Sequence, residues 1–288
     1  MTDIEVIVEE VTLAGVPALI RRPSQMAAGT APVLLWHGIG PPGDAKTLMD
    51  TFPLDDLKTV KVYLDLPMFG ARLPSAGKPE LRRRIAEDYP GSIFGPVIIK
   101  ALQELPSVLD IIAKRWPSMR REVSLFGFGD GGLAALLAVF ENFTSIQAVV
   151  TLNAPPSLYE AATALERIME LTFHWTEGTR TLAGWADVAG RVEELDLLPT
   201  LPALLILHGE KEERFGKRVA TNLENVLRPI YHRRGHDPSL VVNILKGIPY
   251  HVSPRYNDSP MILKVGDPAL FQDVIADWFR PYVEAERV

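Results

Sequence analysis

Apolar residues along this chain switch repeatedly between two rhythms. Residues 4–20 alternate apolar and polar with a break at Ala14-Gly15, which predicts a β-hairpin at a sheet edge. Short apolar runs at 32–36, 59–66, 123–126, 146–152, 203–207 and 240–245 predict buried strands. Between them the spacing becomes helical, around 44–50, over 96–116, from 133 to 140 and over 216–227. In the closing segment Phe271, Val274, Ile275, Trp278, Phe279 and Tyr282 fall on one helical stripe suited to packing on a sheet. Residues 81–94 fit neither rhythm. Alternating strands and helices predict an α/β fold, a mostly parallel central sheet with helices on both faces.

Residues 157–199 interrupt that alternation. Their large apolar residues, among them Leu158, Leu165, Ile168, Phe173, Trp175, Leu182, Trp185 and Leu195, recur at helical spacing. This predicts a helical cap inserted at 156–200 in a single domain spanning 1–288. No repeat or low-complexity segment is visible.

Composition narrows the chemistry more than the fold. The 288 residues are 47% hydrophobic and 23% charged with a formal charge of −6, an ordinary soluble globular balance. Arg82-Arg83-Arg84 is isolated and reads as a solvated helix face, so no nucleic-acid partner is implied. No stretch approaches the roughly 18 consecutive apolar residues of a membrane span. The first residues carry neither a basic nor an apolar leader, and with zero cysteines the expectation is a cytoplasmic protein. The lack of thiols removes disulfides, thiolate ligands and a cysteine nucleophile together.

The candidate chemistry centres on Val123 to Gly132, an apolar run that ends in four glycines within six residues before a helical pattern. Strand, sharp turn, helix is the reading, and two architectures build it. Gly127, Gly129 and Gly132 match the G-x-G-x-x-G of dinucleotide sites, where backbone approaches a pyrophosphate. That motif expects an acidic residue at the end of the next strand, and here the strand ends at Asn153. The alternative is a nucleophile elbow, G-x-S-x-G, with Gly127 and Gly131 flanking and Gly129 in the serine position.

The order of landmarks resembles the α/β-hydrolase superfamily, nearest to the dienelactone-hydrolase and prolyl-oligopeptidase-like esterases. His37-Gly38-Ile39-Gly40 resembles the H-G oxyanion motif, Gly127 to Gly131 the elbow, and His208-Gly209-x-x-Glu212 the H-G-x-x-D acid motif. The resemblance implies that the backbone N–H groups of Ile39 and Asp130 form an oxyanion hole. It likewise implies that Glu212 orients the histidine and that His251 is the base. Glu213 takes the acid role if the register slips by one. No metal or cofactor is implied, and the partner is a small-molecule substrate or ligand.

The departure is Gly129. Without a hydroxyl there no acyl-enzyme forms, and loss of such a nucleophile costs about 10^6 in turnover. The sequence leaves open a hydrolase scaffold for carboxylic esters or small peptide-like amides, with the serine lost naturally or by engineering. It equally leaves open a non-catalytic ligand-binding protein, and hydrolysis by a water that His251 activates in the space over Gly129. Asp130 as nucleophile fits poorly, because it lies one residue past the turn and Phe128 stands where a small residue is needed.

Overall fold

The computed structural model describes residues 5–40, 43–212, 214–250 and 268–284. His251 and Glu213 lie outside the described residues.

The paired strands are β1 (Val6–Leu13), β2 (Val16–Pro23), β3 (Val33–Trp36), β4 (Lys61–Leu64), β5 (Val123–Phe128), β6 (Ile146–Leu152), β7 (Ala203–Glu212) and β8 (Leu240–Tyr250). They form one sheet in the order β1-β2-β4-β3-β5-β6-β7-β8. The β1–β2 hairpin and the β2–β4 pair are antiparallel; every pair from β4 onward is parallel.

Period-two alternation sorts the central strands between two cores. In β3, Val33 and Leu35 point to one face, where α1 (Ala45–Thr51) and α8 (Pro268–Val283) contribute Leu48, Phe271, Ile275 and Phe279. Leu34 and Trp36 point to the other, which is covered by α2 (Gly77–Asp88), α3 (Gly95–Arg115), α4 (Asp130–Glu141), α5 (Leu158–Met169) and α7 (Arg218–Arg233). The α3 stripe Val97, Ala101, Leu105, Val108 and Ile112 is buried on this face, as its spacing predicts. Sheet strands buried on both faces read as continuous apolar runs, which is why they were legible.

Three segments differ from the sequence reading. Residues 81–94 end α2 and then form a π-helical turn, Tyr89–Phe94, in which Asp88 caps the Gly91 amide at 3.0 Å. The wider i→i+5 spacing explains why no helical period was found there. Strand β7 runs on through His208-Gly209 to Glu212, and β8 continues to Tyr250, because their ladder resumes after a register shift at Gly209/Lys211. Helix α7 passes through Pro229, since Ile230 and Tyr231 beyond the expected end are buried. Residues 157–199 hold α5, α6 (Glu177–Trp185) and a 3₁₀ turn, Val192–Leu197, joined by a bridge between Ser157 and Asp187.

Candidate functional site at the crest after β5

The turn from β5 into α4 has the elbow's geometry. Gly129 sits at φ +54° and ψ −126°, a region costly for side-chain-bearing residues. The flanking glycines are there for close approach: a Cβ at Gly127 would lie 2.2 Å from Gly131 O, and one at Gly131 would lie 2.2 Å from His37 O. The backbone of β3's end therefore lies directly against the turn, which a phosphate-cradling loop does not require.

His37 is a structural part of this crest. Its Nδ1 donates to Gly38 O at 2.7 Å, and its Nε2 accepts from the Leu66 amide at 3.0 Å. That pattern demands the neutral imidazole, and complete burial pushes the group below its usual pKa. Beside it, Asp65 accepts from the amides of Ala45 and Ala71, each at 2.8 Å. The loop that presents Ile39 is thus fastened at both ends.

Ile39 and Asp130 meet, through a contact the motifs do not contain. The Ile39 N–H donates to Asp130 Oδ2 at 3.3 Å, and the Tyr89 hydroxyl donates to Asp130 Oδ1 at 2.7 Å. Asp130 is 4% exposed, so a buried carboxylate engages the amide that the motif assigned to an oxyanion hole. It is also the first residue of α4, and an acidic residue in a helix's first turn is favourably placed in the helix dipole.

Glu212 is buried at 3% exposure and held by its own turn. Its Oε1 accepts from the amide and Nε of Arg214 at 3.1 and 3.2 Å, and its Oε2 accepts from the amides of Phe215 and Gly216 at 2.7 and 3.4 Å. Such convergent donors fix a carboxylate in one orientation. In the β7–β8 ladder Glu212 pairs with Tyr250, so the described chain ends beside the acid, one residue short of His251.

Arg214 connects this acid to the crest. A Cβ at Gly129 would lie 3.2 Å from Arg214 Nη2 and 3.9 Å from Nη1, with Gly38 Cα at 3.7 Å on another side. The space over Gly129 is therefore lined by a guanidinium that is itself 8% exposed. Arg214 stacks on Phe215, 4.7 Å from its ring centroid, and its carbonyl accepts from Arg167 at 2.5 Å.

The structure thus brings Ile39, Gly129, Asp130 and Glu212 into one linked set. Tyr89 and Arg214 are the members that sequence reasoning missed. Arg72 forms a bidentate pair with Glu104 at 2.9 and 2.7 Å, and His232 is an exposed surface group paired with Asp237. His174 lines a cleft of about 840 Å³ between α3 and α6, together with Gly91, Ser92, Ile99, Thr179 and Leu182. None of the crest residues lines that cleft. Tyr89 links the two regions, since it opens the π-helical turn and packs on Phe173 with ring centroids 6.0 Å apart. Among the described residues no cluster of metal-ligating side chains occurs, and no helix is long and apolar enough to cross a membrane.

No protein-family profile and no curated protein sequence matches the chain significantly. Solved structures do. TT1662 from Thermus thermophilus superposes with a TM-score of 0.67 at 19% identity, covering 98% of this chain and 100% of that one. A protein assigned as a dienelactone hydrolase from Klebsiella pneumoniae gives 0.64 at 14% identity, covering 96% and 100%. A mutant meta-cleavage product hydrolase from Pseudomonas fluorescens, complexed with acetates, gives 0.58 at 13% identity, covering 95% and 97%.

Proposed function

Because the chain has the α/β-hydrolase fold, we propose that it is a small-ligand-binding protein on a hydrolase scaffold, taking a carboxylate-bearing ligand at the crest without forming an acyl-enzyme. The observation that carries this reading is the position of Arg214 Nη2, 3.2 Å from where a side chain on Gly129 would begin. A cation there has no use in deprotonating or orienting a nucleophile that is absent. It suits a ligand oxygen that bears full negative charge, through a charge-assisted bond. The Ile39 amide, engaged by Asp130, is poorly placed for a neutral carbonyl that gains charge only in a transition state. The acetates bound by the Pseudomonas hydrolase mutant belong to the same ligand class.

Calorimetric titration of acetate and benzoate into the native protein and into Arg214→Gln tests this. Binding by the native protein and a loss of about 10- to 100-fold in the variant is the expected result. Covalent labelling by a fluorophosphonate, or a burst of nitrophenol from p-nitrophenyl acetate, would sink the reading.

One observation favours a second reading. The pairing of Tyr250 with Glu212 brings the chain next to the acid immediately before His251. A carboxylate-steered imidazole that activates water directly would hydrolyse esters without a burst, and His251→Ala would abolish that turnover.

A further inference from the structure

His208 is a buried titratable group for which the crest chemistry has no use, and its surroundings are unusual. The residue is 1% exposed, on β7, and its Nε2 has no hydrogen-bond partner among the described residues. That nitrogen faces Glu212 Oε2 at 3.8 Å, with side-chain exposures of 1% and 0%. The backbone of Gly216 bonds the imidazole, so His208 is fastened to the same turn that supplies the donors of Glu212. Burial is the main influence on it and holds the imidazole below its usual pKa, with Arg214 acting in the same direction and Glu212 against it. Glu212 and Arg214 are the charged groups acting on it. Asn153, which bonds Leu207 and Gly209 on either side of it, and Ile244, its partner on β8, carry no charge.

A neutral imidazole at this place sets a lone pair toward a carboxylate oxygen that is already committed to two backbone amides. Adding a proton at Nε2 reverses the interaction, because the nitrogen becomes a cationic donor facing a buried anion across a water-poor gap. Glu212 then has two cations competing for it, His208 on the Oε2 side and the Arg214 Nε on the Oε1 side. Closing a 3.8 Å gap to hydrogen-bond distance requires Oε2 to move away from the amides of Phe215 and Gly216.

We propose that His208 is a proton sensor for the crest: its protonation draws Glu212 off the 215–216 amides and loosens the tether that holds the Arg214 guanidinium over Gly129. Acid then weakens ligand binding through a residue that does not touch the ligand. The consequence for affinity rests on the carboxylate-binding reading above; the proton-driven movement of Glu212 does not.

The test is residue-resolved. Amide hydrogen exchange at Phe215 and Gly216 is followed by NMR from pH 8 to pH 5, corrected for the intrinsic pH dependence, in the native protein and in His208→Gln. Protection at these two amides is expected to fall about tenfold in the native protein as His208 titrates, the size expected for one lost hydrogen bond to a charged acceptor, and to stay level in the variant. An identical pH profile in both proteins overturns the proposal. A parallel titration of the His208 ring signals in the native protein keeps the test decisive if the variant does not fold: a ring that remains neutral until global unfolding also overturns it. Binding of benzoate at pH 8 and at pH 5 is measured alongside. Absence of binding with a working exchange switch removes only the ligand reading, whereas pH-independent binding with flat exchange removes only the sensor.

Discussion

The Tyr89 hydroxyl donates to Asp130 Oδ1 over 2.7 Å, and the other oxygen of the same carboxylate accepts from the Ile39 amide at 3.3 Å. One buried carboxylate therefore joins the π-helical turn, the elbow helix and the loop after β3. Tyr89→Phe removes a neutral donor from a buried anion while preserving the ring contacts to Phe94 and Phe173. The expected loss of stability is about 1.5–3 kcal/mol, the range for a hydrogen bond to a charged group. Urea unfolding measures it. A change below 0.5 kcal/mol, on the order of an ordinary surface substitution, would mean that Asp130 is solvated in the native state.

Gly70 tests the neighbouring anchor. It has φ +55°, and a Cβ there would lie 2.0 Å from Asp65 Oδ1, the oxygen that accepts from the Ala45 amide. Gly70→Ala must strain the backbone and expel the carboxylate together, so a loss of about 3–5 kcal/mol is expected by thermal or urea unfolding. Gly216→Ala, also at positive φ (+68°) but with nothing within 4 Å of its Cβ position, isolates the backbone part. It should cost only about 1–2 kcal/mol.

How legible was this in the sequence? The sheet was readable because each parallel strand is a short apolar run, and the elbow because four close glycines have few other uses. Glu212 was singled out by its motif. Tyr89 and Arg214 carried no such signal. Tyr89 sits in a π-helical turn, whose spacing breaks the period that sequence patterns depend on. Its bond to Asp130 spans 41 positions, and the Ile39–Asp130 bond spans 91. Contacts at that separation arise from strand order and leave no local pattern. Arg214 lies only two residues past Glu212, but its position over Gly129 depends on how the turn folds back. A cation two residues after Glu212, in a chain with glycine at the turn's apex, was the one available hint.

Lys61 gives a pH signature independent of the crest. It is 1% exposed, its Nζ donates to Leu57 O at 3.1 Å, and burial lowers its pKa from 10.5 to about 8. Between these two values the unfolded chain holds a proton that the folded chain lacks, so stability rises with pH across about 8 to 10.5. Below that window the protein bears the full cost of a buried charge, about 1–3 kcal/mol after allowing for local relaxation. Lys61→Met should therefore be more stable than the native protein at pH 7 by that amount, with a flat stability profile from pH 8 to 10. Equal slopes in the two proteins would place the native pKa of Lys61 near its ordinary value.

Placing a hydroxyl at the turn is the sharpest test of what occupies the crest. In Gly129→Ser the new Cβ meets Arg214 Nη2 at 3.2 Å, the end of a flexible side chain that can yield by a few tenths of an ångström. The residue also adopts φ +54°, which costs about 1–2 kcal/mol for a side-chain-bearing residue and should appear as a lower melting temperature. The variant is expected to fold yet hydrolyse p-nitrophenyl acetate no faster than the native protein. The reason is chemical: an acyl-transfer site needs donors aimed at the developing oxyanion, and the Ile39 amide is turned to the Asp130 carboxylate. Gly129→Ser combined with Asp130→Ala frees the Ile39 amide and removes that anion, so any latent hydrolysis should emerge in the double variant alone. Comparable nitrophenol release from the single variant would show that Asp130 does not block the site.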